Sequence, residues 1–131
     1  MMLCRDDYLE SLALPHDVVK GGTIVSAMMD LEPVLLVPGA EELRVAAGDA
    51  RDVSPKYCPP APHIPLVVAV GGRETREWIR QTDETVAVLE NQGSPVTYLK
   101  PEYDEHFSIL FSLGNPLTPL CAAMLQQMRL T

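Results

Sequence analysis

Two groups of residues in this chain have the types and spacing for proton-transfer chemistry. An apolar run, Pro65 to Val70, ends in Gly71-Gly72-Arg73-Glu74-Thr75, and a second extended run, Pro95 to Leu99, is followed by Asp104-Glu105-His106-Phe107. Each run reads as a strand, so Glu74 falls just past the carboxyl end of one strand and His106 just past the end of the next. Open α/β sheets gather their sites along that edge. A carboxylate there can orient an imidazole and stabilise the imidazolium, and the oriented histidine can move protons near neutral pH. This is the chain order of the last two members of a nucleophile–acid–histidine triad. The first member belongs upstream, on a Gly-x-Ser-x-Gly turn between a strand and a helix, and the sequence contains no such turn.

By position alone, each residue also has an ordinary reading. Glu74 is an acid near a helix start, favoured by the helix dipole, and His106 is a loop histidine between Glu105 and Phe107. His16 follows Pro15 and His63 lies in a proline loop, so both read as structural or exposed. Ser26 falls within an expected strand and Ser54 precedes a proline, so neither context activates a hydroxyl, and both are assigned to structure. Cys58 and Cys121 have no histidine placed to suggest thiolate activation. Gly21-Gly22 and Gly71-Gly72 lack the spacing and the lysine of a phosphate cradle, and no metal-ligand spacing appears. No cofactor is expected.

The elements that must hold these residues alternate in type. Met1 to Cys4 is apolar and uncapped, as if it were the tail of a helix, and Asp6 to Leu14 reads as an acidic helix stopped by Pro15. Thr23 to Ala27 is a β-branched apolar run and predicts a buried strand. Asp30 predicts the cap of a short helix over Leu31 to Val37, and further helical turns are expected over Glu41 to Val45 and Asp49 to Val53. Cys58 to Pro65 is proline-rich and must be extended. Leu66 to Val70 is continuously apolar, the mark of a strand covered on both faces. From Arg76 to Asn91 the period becomes helical, with Trp78, Thr82, Val86 and Leu89 on one stripe and Asn91-Gln92-Gly93 as its end. Ser94 to Leu99 is a strand, and a last helix runs from Thr118 to Met128 with Pro119 at its first position. Strands alternating with helices predict βαβ units and a short, mostly parallel sheet flanked by helices, in one domain.

The totals narrow the function further. The 131 residues are 47% hydrophobic and 21% charged, enough to build one core and too apolar for disorder. The formal charge of −8, with ten scattered lysines and arginines, excludes a nucleic-acid interface as the expected function. Uncharged apolar stretches fall well short of the roughly 20 residues that cross a bilayer, so no membrane partner is expected. Arg5, Asp6, Asp7 and Glu10 interrupt any secretory-signal core, and three scattered cysteines suit a reducing cytoplasm better than a disulfide framework.

Four stretches taken together resemble the C-terminal half of the kynurenine formamidase (arylformamidase) and related esterase branch of the α/β-hydrolase fold. Val25-Ser26-Ala27-Met28-Met29-Asp30-Leu31-Glu32-Pro33 is similar to the family's S-G-x-x-D-L-x-P turn, and Asp52-Val53-Ser54-Pro55 to its short helix ending in Ser-Pro. Gly71 to Thr82 resembles its acid-bearing segment, through Glu74, Glu77, Arg80 and Gln81, and Asp104-Glu105-His106-Phe107 resembles its histidine turn. The similarity covers nearly all of residues 1–131. It implies a partial α/β-hydrolase fold, with Glu74 and His106 as the acid and base of a triad. Glutamate stands where the family more often has aspartate, and Ala27 and Met28 stand where it often has glycine.

The resemblance also implies a preceding half with the oxyanion-donor segment and the nucleophile elbow, so the chain is expected to be a fragment or a natural truncation. The expected function is that of a serine hydrolase whose full-length form cleaves small carboxylic esters or aryl formamides such as N-formylkynurenine. The alternatives are a non-catalytic remnant that pairs through its exposed sheet edge, a homo-oligomer included, and a small α/β ligand-binding protein in which Glu74 and His106 are incidental.

Overall fold

The structure, a computed structural model, describes residues 2–46 and 48–130. Three parallel strands, β1 (Gly22–Val25), β2 (Leu66–Ala69) and β3 (Val96–Leu99), lie side by side in that order. Their register aligns Gly22 with Leu66 and Val96 at one end and Val25 with Ala69 and Leu99 at the other. All three carboxyl ends therefore finish at one level, and the loops that leave them emerge together.

Helix α1 (Asp6–Ser11) precedes the sheet, α2 (Arg76–Asn91) joins β2 to β3, and α3 (Ser108–Phe111) and α4 (Pro119–Gln127) follow β3. The alternation of side chains along a strand divides the core in two. On one face Ile24, Leu66 and Val68, with Val96 and Tyr98, pack against Val86 and Leu89 of α2 and against Met29 and Ile64. On the other, Val67 and Ala69, with Val25 and Leu99, meet Ile109 of α3 and Leu120 and Ala123 of α4. Every residue of β2 is buried, as a continuous apolar run between two helical layers requires.

Helix α2 occupies the span that its periodicity predicts. Thr75 caps it, its hydroxyl accepting the Trp78 amide at 3.3 Å, and Gly93 ends it at φ +84°, where glycine is free to turn. Thr118 likewise caps α4 ahead of Pro119. No single helix among the described residues is long and apolar enough to cross a membrane.

The expectations for the segments around β1 are corrected by tertiary contacts. The Met1 end of the expected helix tail lies outside the described residues, and Met2–Cys4 forms a single 3-10 turn. The acidic helix stops at Ser11 because Ala13 turns at φ +54°, directing the Leu14 amide back to the Leu9 carbonyl. Strand β1 ends at Val25, since Ser26 leaves extended backbone at φ +47°. The short helix expected over 31–37 is a 3-10 turn, Pro33–Leu36, and the helical turn expected over 41–45 is a 3-10 turn at Ala40–Leu43, closed by Arg44 at φ +53°. Residues 49–53 form isolated turns, held by the Ser54 hydroxyl donating to the Ala50 carbonyl at 2.5 Å. The strand expected from Ser94 begins at Val96, past Pro95.

Candidate functional site

The loops at the carboxyl ends of the three strands interlock. Gly71 and Gly72 leave β2 directly under the loop that leaves β3. A Cβ at Gly71 would lie 2.5 Å from the Asp104 carbonyl oxygen, and one at Gly72 would lie 2.9 Å from the Pro101 and Glu102 carbonyl oxygens. Only glycine permits this approach. Across it the Gly72 amide donates to the Pro101 carbonyl at 2.8 Å and the Arg73 amide to the Asp104 carbonyl at 2.9 Å. The turn that carries Glu74 and the loop that carries His106 are thus fastened backbone to backbone.

Within that frame the Glu74 side chain is 2% exposed. Its Oε2 lies 2.9 Å from His106 Nδ1, and a carboxylate only accepts, so Nδ1–H is the donor and Nε2 lies on the side of the ring away from Glu74. Its Oε1 accepts two further bonds, from the Gly71 amide at 2.8 Å and from the Ser26 hydroxyl at 2.5 Å. A buried carboxylate needs this degree of satisfaction to remain ionised without a large penalty. Ser26 belongs to this cluster, although strand periodicity assigns it to structure.

The His106 ring is held from both sides. Trp78 meets it edge-on with centroids 5.2 Å apart, and Phe107 does so at 5.1 Å. The Trp78 indole N–H donates to the Ser26 carbonyl at 2.9 Å, so one side chain supports both the histidine and the serine. Left-handed backbone costs a residue with a Cβ about 1 kcal/mol, and the bonds to Ser26 offset that. His106 remains 45% exposed and, with Trp78, Phe107, Arg73, Thr75 and Glu105, lines a shallow pocket of about 370 Å³ beside Glu74. Among the described residues no hydroxyl or thiol hydrogen-bonds Nε2.

A larger open groove of about 890 Å³ lies at the other end of the sheet, between Pro65, Pro95 and the end of α4. Among the described residues no histidine, cysteine or carboxylate side chain lines it, whereas the smaller pocket holds His106 and Glu74. The remaining histidines line neither. His16 lies against Asp6 and Glu10 at the surface, and His63 reaches the His16 carbonyl at 3.3 Å. The cysteines are free thiols. Cys4 and Cys121 are buried, and burial pushes the Cys4 thiol above its ordinary value.

Several residues of the four sequence stretches serve as scaffold. Gln81, 5% exposed on α2, accepts the Met29 amide at 3.2 Å and the Asp30 amide at 3.0 Å, and its own amide donates to Glu77. Asp30, expected as a helix cap, accepts from the Glu32 amide, Lys56 and the Tyr57 hydroxyl. Buried Ser54 accepts the Leu31 amide. These bonds lash the long β1–β2 connection to α2. Glu74, Trp78 and His106 line the pocket with Arg73, Thr75, Glu105 and Phe107, and Ser26 bonds Glu74 beside it.

No protein-family model matches the chain, and no curated protein matches it. Its fold is similar to the crystal structure of a candidate thioesterase from Silicibacter sp. TM1040, with a TM-score of 0.68 and 23% sequence identity over 83% of this chain. The match covers 41% of that protein, so this chain spans less than half the length of its structural neighbour. At this identity the likeness defines the fold, a small parallel α/β sheet flanked by helices.

Proposed function

We propose that this chain is the C-terminal half of an α/β-hydrolase of the arylformamidase and esterase type, and that Glu74 and His106 are the acid and base of its triad. One observation carries the reading: a buried, fully bonded carboxylate holds the Nδ1–H of a half-exposed imidazole that lines a pocket. In that tautomer Nε2 is free to take the proton of an attacking hydroxyl and return it to the leaving group, while Glu74 stabilises the imidazolium between the two steps. The nucleophile and the oxyanion donors come from a segment outside these 131 residues. The substrates are small acyl compounds, carboxylic esters or aryl formamides such as N-formylkynurenine. The name of the structural neighbour adds thioesters to the compounds to be tried, which the same proton transfers would serve.

The test is hydrolysis of p-nitrophenyl acetate, an acyl thioester and N-formylkynurenine by the product of the complete reading frame that contains these residues. His106→Ala is expected to lower kcat by about 10²- to 10⁴-fold. The 131-residue polypeptide alone is expected to give no turnover that His106→Ala removes. Full-length turnover indifferent to His106, or a frame that encodes no nucleophile elbow, would sink the proposal.

A further inference from the structure

Ser26 is the first residue beyond β1, Glu74 follows β2 and His106 follows β3, so the three form one hydrogen-bonded line across the carboxyl edge of the sheet. The order superficially suggests a serine nucleophile, but the connectivity excludes it. The hydroxyl bonds Oε1, the carboxylate oxygen that His106 does not use, and it makes no bond to Nε2, where a nucleophile must be.

We propose that Ser26 is a positioning residue for the acid, and that Trp78 holds Ser26 in the conformation this requires. The inference rests on the reading of Glu74 and His106 as acid and base. A glutamate has one more rotatable bond than an aspartate, so its carboxylate can swing away from the imidazole unless something fixes its plane. Two donors on Oε1, the Gly71 amide at 2.8 Å and the Ser26 hydroxyl at 2.5 Å, supply that restraint and leave Oε2 for Nδ1. The left-handed backbone of Ser26 brings its hydroxyl to Oε1, where an extended residue would continue the strand. Its amide donates to the Ala69 carbonyl at 2.8 Å and its carbonyl accepts the Trp78 indole N–H, so the unfavourable conformation is fixed from both sides.

Ser26→Gly separates the hydroxyl from the backbone, because glycine takes positive φ without strain and the fold is retained. In the full-length protein this variant is expected to lose about ten- to a hundredfold in kcat with little change in KM, the scale of one hydrogen bond to a charged group. The His106 Nδ1–H proton, expected as a resolved low-field NMR signal in the parent, is expected to broaden or vanish in this variant. Ser26→Asn, which tolerates the left-handed region and keeps a donor, is expected to recover both. A Ser26→Gly protein with kcat within about twofold of the parent and an unchanged Nδ1–H signal overturns the inference. The two claims fail separately. Turnover insensitive to His106→Ala removes the triad reading, whereas the NMR signal decides without any turnover whether Ser26 fixes the carboxylate.

Discussion

The carboxylate of Glu74 is held by three donors from three segments of chain: a hydroxyl after β1, a backbone amide of its own turn, and an imidazole after β3. Its length is therefore part of its fit. Glu74→Asp preserves the charge but withdraws the oxygens by one methylene, too far to serve Ser26 and His106 at once. The variant is expected to lose the Nδ1–H signal expected of the parent and about tenfold or more of any His106-dependent rate, measured by NMR and by steady-state kinetics. That Glu74 and His106 share one sheet edge is legible in sequence because each follows an apolar extended run, and the family resemblance is what pairs them. The place of Ser26 beside them is not legible. Nothing local to Val25-Ser26-Ala27 encodes a positive φ, and the indole that maintains it arrives from 52 residues away.

Among the elements, α2 was readable in full and the β1–β2 connection was not, for one physical reason. The helix carries its own stop and start signals, a threonine cap and a left-handed glycine, and its apolar stripe has a single period. The connection has no period. Its turns are fixed by side chains elsewhere, above all by Gln81, whose carbonyl takes two buried amides that have no other partner among the described residues. Gln81→Leu keeps the helix propensity and the approximate volume but leaves those amides unpaired. It is expected to cost about 2–4 kcal/mol, read by chemical denaturation, at the scale of two unsatisfied buried donors softened by local relaxation. A surface substitution on the same helix, such as Ala87→Gln, is expected to change stability by less than about 0.5 kcal/mol.

At the scale of the whole molecule, acids outnumber lysines and arginines by eight, and Lys56 and Lys100 each tie α2 to another segment of the chain. Lys56 of the connection bonds both Asp30 and Glu84, Arg80 spans Glu77 and Glu84, and Glu77 closes the network on Gln81. The Arg80 guanidinium, followed by the Gln81 amide, lowers the Glu77 carboxyl from 4.5 to about 2. A depressed carboxyl adds stability that is complete above its unfolded value and disappears as the pH falls through its folded one. Unfolding free energy is therefore expected to decline between pH 4.5 and about 2, with a shallower slope in Glu77→Gln, as followed by urea titration at a series of pH values. Glu77 is about half exposed, so solvent screening keeps its share of that slope small.

The contact between Gly71-Gly72 and residues 101–105 also governs how a chain of this kind can lengthen. With no room for a single methyl group between the two loops, neither can accept inserted residues without parting the acid from the histidine. The exposed turn at Gly39 has open space around it and bonds nothing in the site. The β1–β2 connection can therefore take an added segment there without parting the acid from the histidine. The acid–histidine edge is the fixed frame beside which such a segment would lie.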